Sequence, residues 1–531
     1  MLQKFKPSMT EIQLGAIAIL ALGIFFRCTA LGQKLYWYDE AFTSLRISGY
    51  SEAEMIQQAF HGKEITPQEL QKFQHPNAQK GILGTIRGLA QEEPQHPPLY
   101  YTLIRLWAQW VGSSAAAVRS LSVIFSLLVF PSLYWLCLEL FGSTDVAWLA
   151  IALVAVSPLH VVFAQEARQY SLWTVLILAA SAALLYAMRV DSFASWALYA
   201  VTLSLGLYTF LFSGLVAIGH GIYVVGVEQV RWTPILAHYW LASVIALLTF
   251  VPWIWAVVTS HSSVQTTTAW ANRPSSWKAI ARVWALNLRR VFFDADFKLH
   301  SQFAYTTSIL GVYAFVLLLE IGAVYWLWQS TSIRVWLFVL TLIGTTAFTI
   351  LLPDLIWGGQ RSTATRYAIP CYLGIQIAVA YCLVNLLESN VGLWQQVVAL
   401  AVLGGAIALS ILSCSIGAKT PIGWNKVISY YNPPIAKIIN LSPRPLLIAN
   451  TSMGVGEILS LSRLLNPNVT LQLIVDPDVP QIRAGFSDVF LMTYSQSLRS
   501  QLAAQQQASV QPAYQERGKT WLWQLTSQNQ P

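Results

Sequence analysis

Residues 12–26, IQLGAIAILALGIFF, form a nearly unbroken apolar run closed by Arg27, and residues 35–46, LYWYDEAFTSLR, soon follow with two adjacent carboxylates among aromatic rings. About 20 mostly apolar residues suffice to cross a bilayer. The run follows a basic start, Lys4 and Lys6, as a secretory signal would. It ends in FFRC without a small-residue cleavage site, so it reads as a retained first span over 11–31. The pair Asp39–Glu40 then falls at a membrane surface.

Working outward, the same length test predicts eleven spans, near 11–31, 118–140, 146–164, 171–188, 195–211, 213–229, 235–257, 305–329, 333–353, 367–388 and 393–416. The stretch 195–229 is long for one span and short for two, and LFSG at 211–214 is read as a tight turn between two short helices. Composition points the same way: 55% of the 531 residues are hydrophobic and 11% charged, against roughly 25% charged in soluble domains. The 22 Trp and 22 Tyr suit interfacial belts. A net charge of +8 is spread along the chain with no basic run, which excludes a nucleic-acid-binding arm. The five cysteines lie in or beside apolar segments without paired spacing, so neither a disulfide framework nor a zinc site is expected.

Lys4, Lys6, Arg189, Arg231 and Arg334 flank spans on one side under this count, which the positive-inside rule makes cytoplasmic. The loops 32–117, 258–304 and 354–366 and the tail then lie outside the cytoplasm. Within the first loop, Pro97 and Pro98 open LYYTLIRLWAQW, too short to span and read as an interfacial helix. The chain thus divides into a membrane domain, 1–416, and a tail, 417–531. In that tail RPLLIAN, VTLQLIVD, SDVFLMTY and TWLWQLT read as strands, alternating with helix-like GEILSLSRLL and SQSLRSQLAAQQQ. The predicted fold class is an α-helical polytopic membrane protein with a small extracytoplasmic α/β domain.

Neighbouring helical residues diverge by about 100°. One acid of the Asp39–Glu40 pair can therefore face a site while the other meets a backbone group or a cation, and acids at a helix start are also favoured by its dipole. SPLHVVFAQEARQYSLW (157–173) interrupts two apolar spans with Gln165, Glu166, Arg168 and Tyr170; ionisable groups at membrane level are costly and usually functional. Arg27 and Arg366 sit at the outer ends of predicted spans, where a guanidinium fork can bind phosphate, though Arg27 can equally snorkel and Arg366 pair with an acid. His96 reads as either a ligand or a hydrogen-bonder at a helix entry.

In this order, the Arg-terminated first span, LYWYDEAFTSLR, HPPLYYTLIRLW, SPLHVVFAQEARQYSLW, LYTFLFSG and RYAIP resemble the GT-C superfamily of membrane glycosyltransferases, in its protein mannosyltransferase and aminoarabinose transferase branch. The resemblance spans about residues 11–390. It implies an inverting transfer of sugar from a polyprenyl-phosphate donor to a lipid, glycan or protein acceptor on the non-cytoplasmic face of a bacterial plasma membrane. It places the acceptor-side carboxylate on Asp39, with Glu40 beside it, and the second acidic position on Glu166. A phosphate leaving group needs cations to meet its growing charge, and Arg366 first, then Arg27 and Arg168, are the candidates, with His96, Tyr170 and Tyr367 as further contacts for lipid phosphate or sugar; some members of the family hold a divalent metal near the acids, here Asp39 and Glu166. A flippase or transporter of lipid-linked sugars is the alternative; it predicts charged groups near the midplane between inverted halves.

Overall fold

The computed structural model describes residues 9–294, 307–388 and 392–527, and they fall into two compact units. The first comprises Met1–Leu31, Glu93–Tyr100 and Arg119–Gly423; the second comprises Gly32–Glu92, Tyr101–Val118 and Trp424–Pro531.

The first unit is helical. Eight helices among the described residues are long and apolar enough to cross a membrane: Glu11–Cys28, Ala115–Phe141, Tyr170–Val190, Pro234–Thr259, Leu310–Ser330, Ile333–Trp357, Thr365–Leu387 and Leu393–Lys419. The predicted span at 146–164 is instead two helices, Thr144–Ala155 and Pro158–Ala164, bent by 65°. Pro158 causes the bend, because it lacks an N–H and forces Ser157 out of the helical region, at φ −61 and ψ 119. The segments 195–211 and 213–229 become Phe193–Thr209 and Ser213–Val227, short of the spanning length.

A break in an apolar layer frees carbonyls that water cannot reach, and each must find a donor within the protein. Arg27 supplies two: Nη2 donates to Val154 O at 3.1 Å and Nη1 donates to Ala155 O. Cys414 Sγ donates to Val156 O at 3.1 Å and Ser157 Oγ to Val291 O at 2.7 Å. Gly23 makes the approach possible, since a Cβ there would collide with the Ala155 backbone. The exchange is reciprocal. Gln165 Nε2 lies 2.7 Å from Phe26 O and 2.8 Å from Thr29 O, closing the end of the first span.

The second unit holds a six-stranded sheet of β1 (His61–Ile65), β2 (Pro445–Asn450), β3 (Thr470–Ile474), β4 (Asp488–Met492), β5 (Ala508–Glu516) and β6 (Lys519–Ser527). Their order is β1-β3-β2-β4-β6-β5. The central β3-β2-β4 ladder is parallel and the three outer pairings are antiparallel. All six residues of β2 are buried, as its continuous apolar run requires of a strand covered on both faces. The helix Val455–Ser462 carries the crossover from β2 to β3, and Gln496–Gln505 follows β4. Leu446, Ile448, Ile474, Leu491, Leu498 and Leu502 form the core between sheet and helix. The four strands and two helices expected in the tail are present; β1, contributed by the first loop, and β5 are additional.

Candidate active site

The acid pair opens the helix Tyr38–Ser48, with Trp37 as its N-cap. Glu40 is fully buried. Its Oε2 lies 3.1 Å from Lys426 Nζ and accepts the Trp37 N–H at 3.4 Å, while Lys426 Nζ also stands 5.2 Å from the Trp37 ring centroid. The 100° divergence between neighbours therefore sends Glu40 to both a cation and a backbone donor. Asp39, one position earlier, is half-buried in the first turn of the same helix.

This turn is held by residues from far along the chain, all within the second unit. Tyr38 N–H donates to Ser429 Oγ at 3.0 Å, and Ser429 Oγ donates to Glu457 Oε2 at 2.6 Å. Ser460 Oγ donates to Tyr36 O at 2.7 Å. Arg463 stacks on the Tyr36 ring at 4.1 Å, and the Tyr36 hydroxyl lies 2.6 Å from Ser44 Oγ. Gly456 abuts the helix so closely that a Cβ would strike the Phe42 ring at 2.6 Å. Burial pushes the Glu457 carboxyl up to about 8, against the opposing hydrogen bonds from Ser429 and Asn432.

The remaining candidates belong to the first unit. Glu166 and Arg168 are buried in the turn before the Tyr170–Val190 helix. Arg168 Nη2 donates to His96 Nε2 at 3.2 Å, and the Gln169 side-chain amide lies 3.1 Å from His96 Nδ1. A neutral imidazole accepts at one nitrogen only. With Nε2 accepting from Arg168, Nδ1–H donates, which assigns the Gln169 amide oxygen, rather than the Nε2 placed there, to that contact. The loop that carries His96 is fixed by Trp253 Nε1, which donates to Pro94 O at 2.9 Å.

Arg366 and Tyr367 lie in a 3-10 turn, Thr365–Ala368. The Arg366 guanidinium stands 5.2 Å from the Tyr367 ring centroid and 5.8 Å from that of Trp270, within the range of cation–π attraction. Tyr367 packs on Phe212 at 4.7 Å and Phe210 at 6.0 Å, and Phe210 reaches Tyr170 at 6.2 Å. The break between the two short helices thus delivers Phe210 and Phe212, and these rings join Tyr170 to Tyr367. The approach to Arg366 is pinned by Asp354, whose Oδ2 accepts the Ser362 N–H at 2.7 Å and whose Oδ1 accepts Arg361 Nε at 3.1 Å. Gln360 N–H donates to Ala271 O at 2.8 Å. Gly359 precedes it at φ +128, where a Cβ would meet Asp354 Oδ1 at 2.7 Å.

Arg27 is a different case. It is buried, its guanidinium is bonded to carbonyls of its own and the broken span, and it lies 5.0 Å from the Phe130 ring. Its geometry is that of a helix-end cap, which departs from a role in gripping substrate phosphate. Among the described residues no three His, Cys, Asp or Glu side chains converge to hold a metal ion. Lys426, Ser429, Glu457 and Trp270 carry no local sequence motif; LYTFLFSG marked the segment of Phe210 and Phe212 without singling out either ring.

Residues 95–255 match the family model described as dolichyl-phosphate-mannose-protein mannosyltransferase. No characterised protein matches the chain in sequence. In structure it is similar to ArnT from Cupriavidus metallidurans bound to undecaprenyl phosphate, with a TM-score of 0.56 and 13% identity over 98% of each chain. It is also similar to the apo state of the same protein, with a TM-score of 0.56 and 12% identity over 96% of this chain and 97% of that one. The chain thus shares the fold of ArnT over nearly its whole length, and residues 95–255 resemble the dolichyl-phosphate-mannose-protein mannosyltransferase family.

Proposed function

We propose that this protein transfers a sugar, with inversion, from a polyprenyl-phosphate donor to an acceptor on the non-cytoplasmic face of the membrane. The observation that carries this reading is the division of labour within the acid pair. Glu40 is buried against Lys426, and Asp39 is half-buried on the same helical turn. A carboxylate so placed can take the proton of an acceptor hydroxyl as its oxygen attacks the anomeric carbon. The bond from that carbon to the phosphate oxygen breaks, and the electron pair leaves with the lipid phosphate. The second pKa of such a phosphate is ~6, so it departs without a general acid but gains from cations that meet the growing charge.

Arg366 is the first of these cations. Two aromatic rings and the pinned loop orient its fork, and the rings of Tyr367, Phe210 and Tyr170 offer apolar faces to sugar or prenyl carbons. Arg168, held to a neutral His96, is the second. Glu166 stands as the second acidic position, buried beside Arg168. The undecaprenyl phosphate bound by ArnT supports a donor of this chemical class. Glu40 and Arg27 take structural parts.

The test is to incubate purified protein with a panel of polyprenyl-phosphate sugars and membrane extract and identify what becomes labelled. Asp39→Asn should lower labelling at least a hundredfold, and Arg366→Ala at least tenfold. Near-normal labelling by both variants would refute the assignment.

A further inference from the structure

The first turn of the Tyr38–Ser48 helix carries Asp39 but does not set its own position. In that turn the Tyr38 N–H reaches outside its own segment and donates to Ser429 Oγ at 3.0 Å. Having accepted that bond, Ser429 has a single hydroxyl proton, and it goes to Glu457 Oε2 at 2.6 Å. The direction of the chain is thereby fixed: Tyr38 N–H to Ser429, Ser429 O–H to Glu457. Both Ser429 and Glu457 are buried, and Glu457 sits in the first turn of the Val455–Ser462 helix. The tight packing of Gly454 and Gly456 on the Tyr38 and Phe42 rings leaves that first turn no room to drift.

We propose that Ser429 and Glu457 are positioning residues for the transfer reaction, a two-bond relay by which the C-terminal segment sets the entry of the Tyr38–Ser48 helix and so the place of the Asp39 carboxylate. The proposal rests on the reading of Asp39 as the acceptor-side base. It gives the C-terminal domain a part in the chemistry by way of the Tyr38–Ser48 helix.

The state of the relay depends on protonation. With its carboxyl pushed up to about 8 by burial, Glu457 is neutral at pH 7. Asn432 also hydrogen-bonds this carboxyl, opposing part of that shift. The other titratable and charged groups around it are Tyr494, which senses its charge, Lys426 and Glu40, which neutralise each other on the segment beside Ser429, Asp39 itself, and Arg463 just past the end of the same helix. Ionisation of Glu457 introduces a buried anion without a cation of its own behind the catalytic turn, which loosens that turn.

The experiment measures transfer from an undecaprenyl-phosphate-linked radiolabelled sugar, with deuterium uptake of residues 36–44 followed on the same proteins. Ser429→Ala should lower kcat at least tenfold with donor KM unchanged within twofold and speed uptake over 36–44; Ser429→Thr, which keeps the hydroxyl, should restore both. The wild-type rate should fall as pH rises through about 8, and Glu457→Gln, which accepts from Ser429 at every pH, should keep its rate there. Ser429→Ala with wild-type kcat, uptake and pH profile, alongside an inactive Asp39→Asn, would overturn the relay and leave Asp39 standing. An Asp39→Asn enzyme with the wild-type rate would overturn the reading of Asp39 and the relay with it. If Ser429→Ala does not fold, Glu457→Gln decides: a pH profile identical to wild type refutes the relay.

Discussion

Removing the ammonium of Lys426 should destabilise the second unit through the carboxylate it leaves behind. In Lys426→Met the stem volume is kept and the charge lost. Glu40 is fully buried and the Lys426 side chain 5% exposed, so water cannot replace the missing cation. Breaking a buried pair by deleting one partner costs about 3–5 kcal/mol, whereas replacing both by neutral groups of similar shape is close to neutral. For a folded unit of 150–250 residues, 1 kcal/mol moves Tm by about 2–4 °C, so a cost of about 3 kcal/mol lowers Tm by roughly 6–12 °C. The assay is thermal unfolding of detergent-purified protein for wild type, Lys426→Met, Glu40→Gln and the double variant. The double variant should recover most of the loss, with a coupling above ~1 kcal/mol, since the two groups are in contact. Single variants within roughly 3 °C of wild type, or a double variant equal to the sum of the singles, would refute the claim that the pair is buried and mutually dependent.

Other tests follow from the same geometry. Trp270→Ala removes one face from Arg366 and should lower kcat/KM about two- to thirtyfold, the equivalent of the ~0.5–2 kcal/mol that a cation–π contact supplies; transfer kinetics check it. Glu457 makes stability depend on pH: its folded carboxyl is raised to about 8 from 4.5, so the folded state holds the extra proton between those values. Its contribution is therefore complete below about 4.5 and lost as pH rises through about 8, and Glu457→Gln should flatten that part of the Tm–pH curve. A reporter fused after residue 230 should be cytoplasmic and one fused after residue 420 should not; the same side for both would refute the orientation read from the basic loops.

What was legible in the sequence followed from periodicity and length. Apolar runs of spanning length announce themselves, and the buried strand β2 reads directly from PLLIAN because every position faces protein. Strand β1 is HGKEI, mostly exposed and with a glycine, and β5 is an edge strand containing Pro512. Neither has the alternation by which a strand is recognised, and each exists because a neighbouring strand offers it a ladder. The acid pair was visible as a feature, but its division was not, because Lys426 lies 386 residues from Glu40 in sequence. The same holds for Ser429 and Glu457, which are ordinary residues until the fold sets them behind the first turn of the Tyr38–Ser48 helix.

Arg27 and Arg366 show why residue type at a span end does not decide function. Both follow or precede an apolar run, and both carry a fork suited to phosphate. What separates them is the state of the backbone nearby. Pro158 breaks a helix inside the apolar layer, and the guanidinium meets the carbonyls of Val154 and Ala155 beside the break, the first of which also accepts the Ser157 N–H at 3.4 Å. Around Arg366 the backbone is met by other groups, Asp354 Oδ2 taking the Ser362 N–H and Asn287 reaching Thr363 O, and its guanidinium stands over the Trp270 and Tyr367 rings. The two arginines should therefore fail differently. Arg27→Lys, a point charge in place of a fork, should leave one carbonyl unmet, at about 1–3 kcal/mol, and appear as a lowered Tm. Arg366→Lys should keep its Tm and lose transfer rate. A variant pair with these two outcomes exchanged would place the phosphate at Arg27 and overturn the distinction.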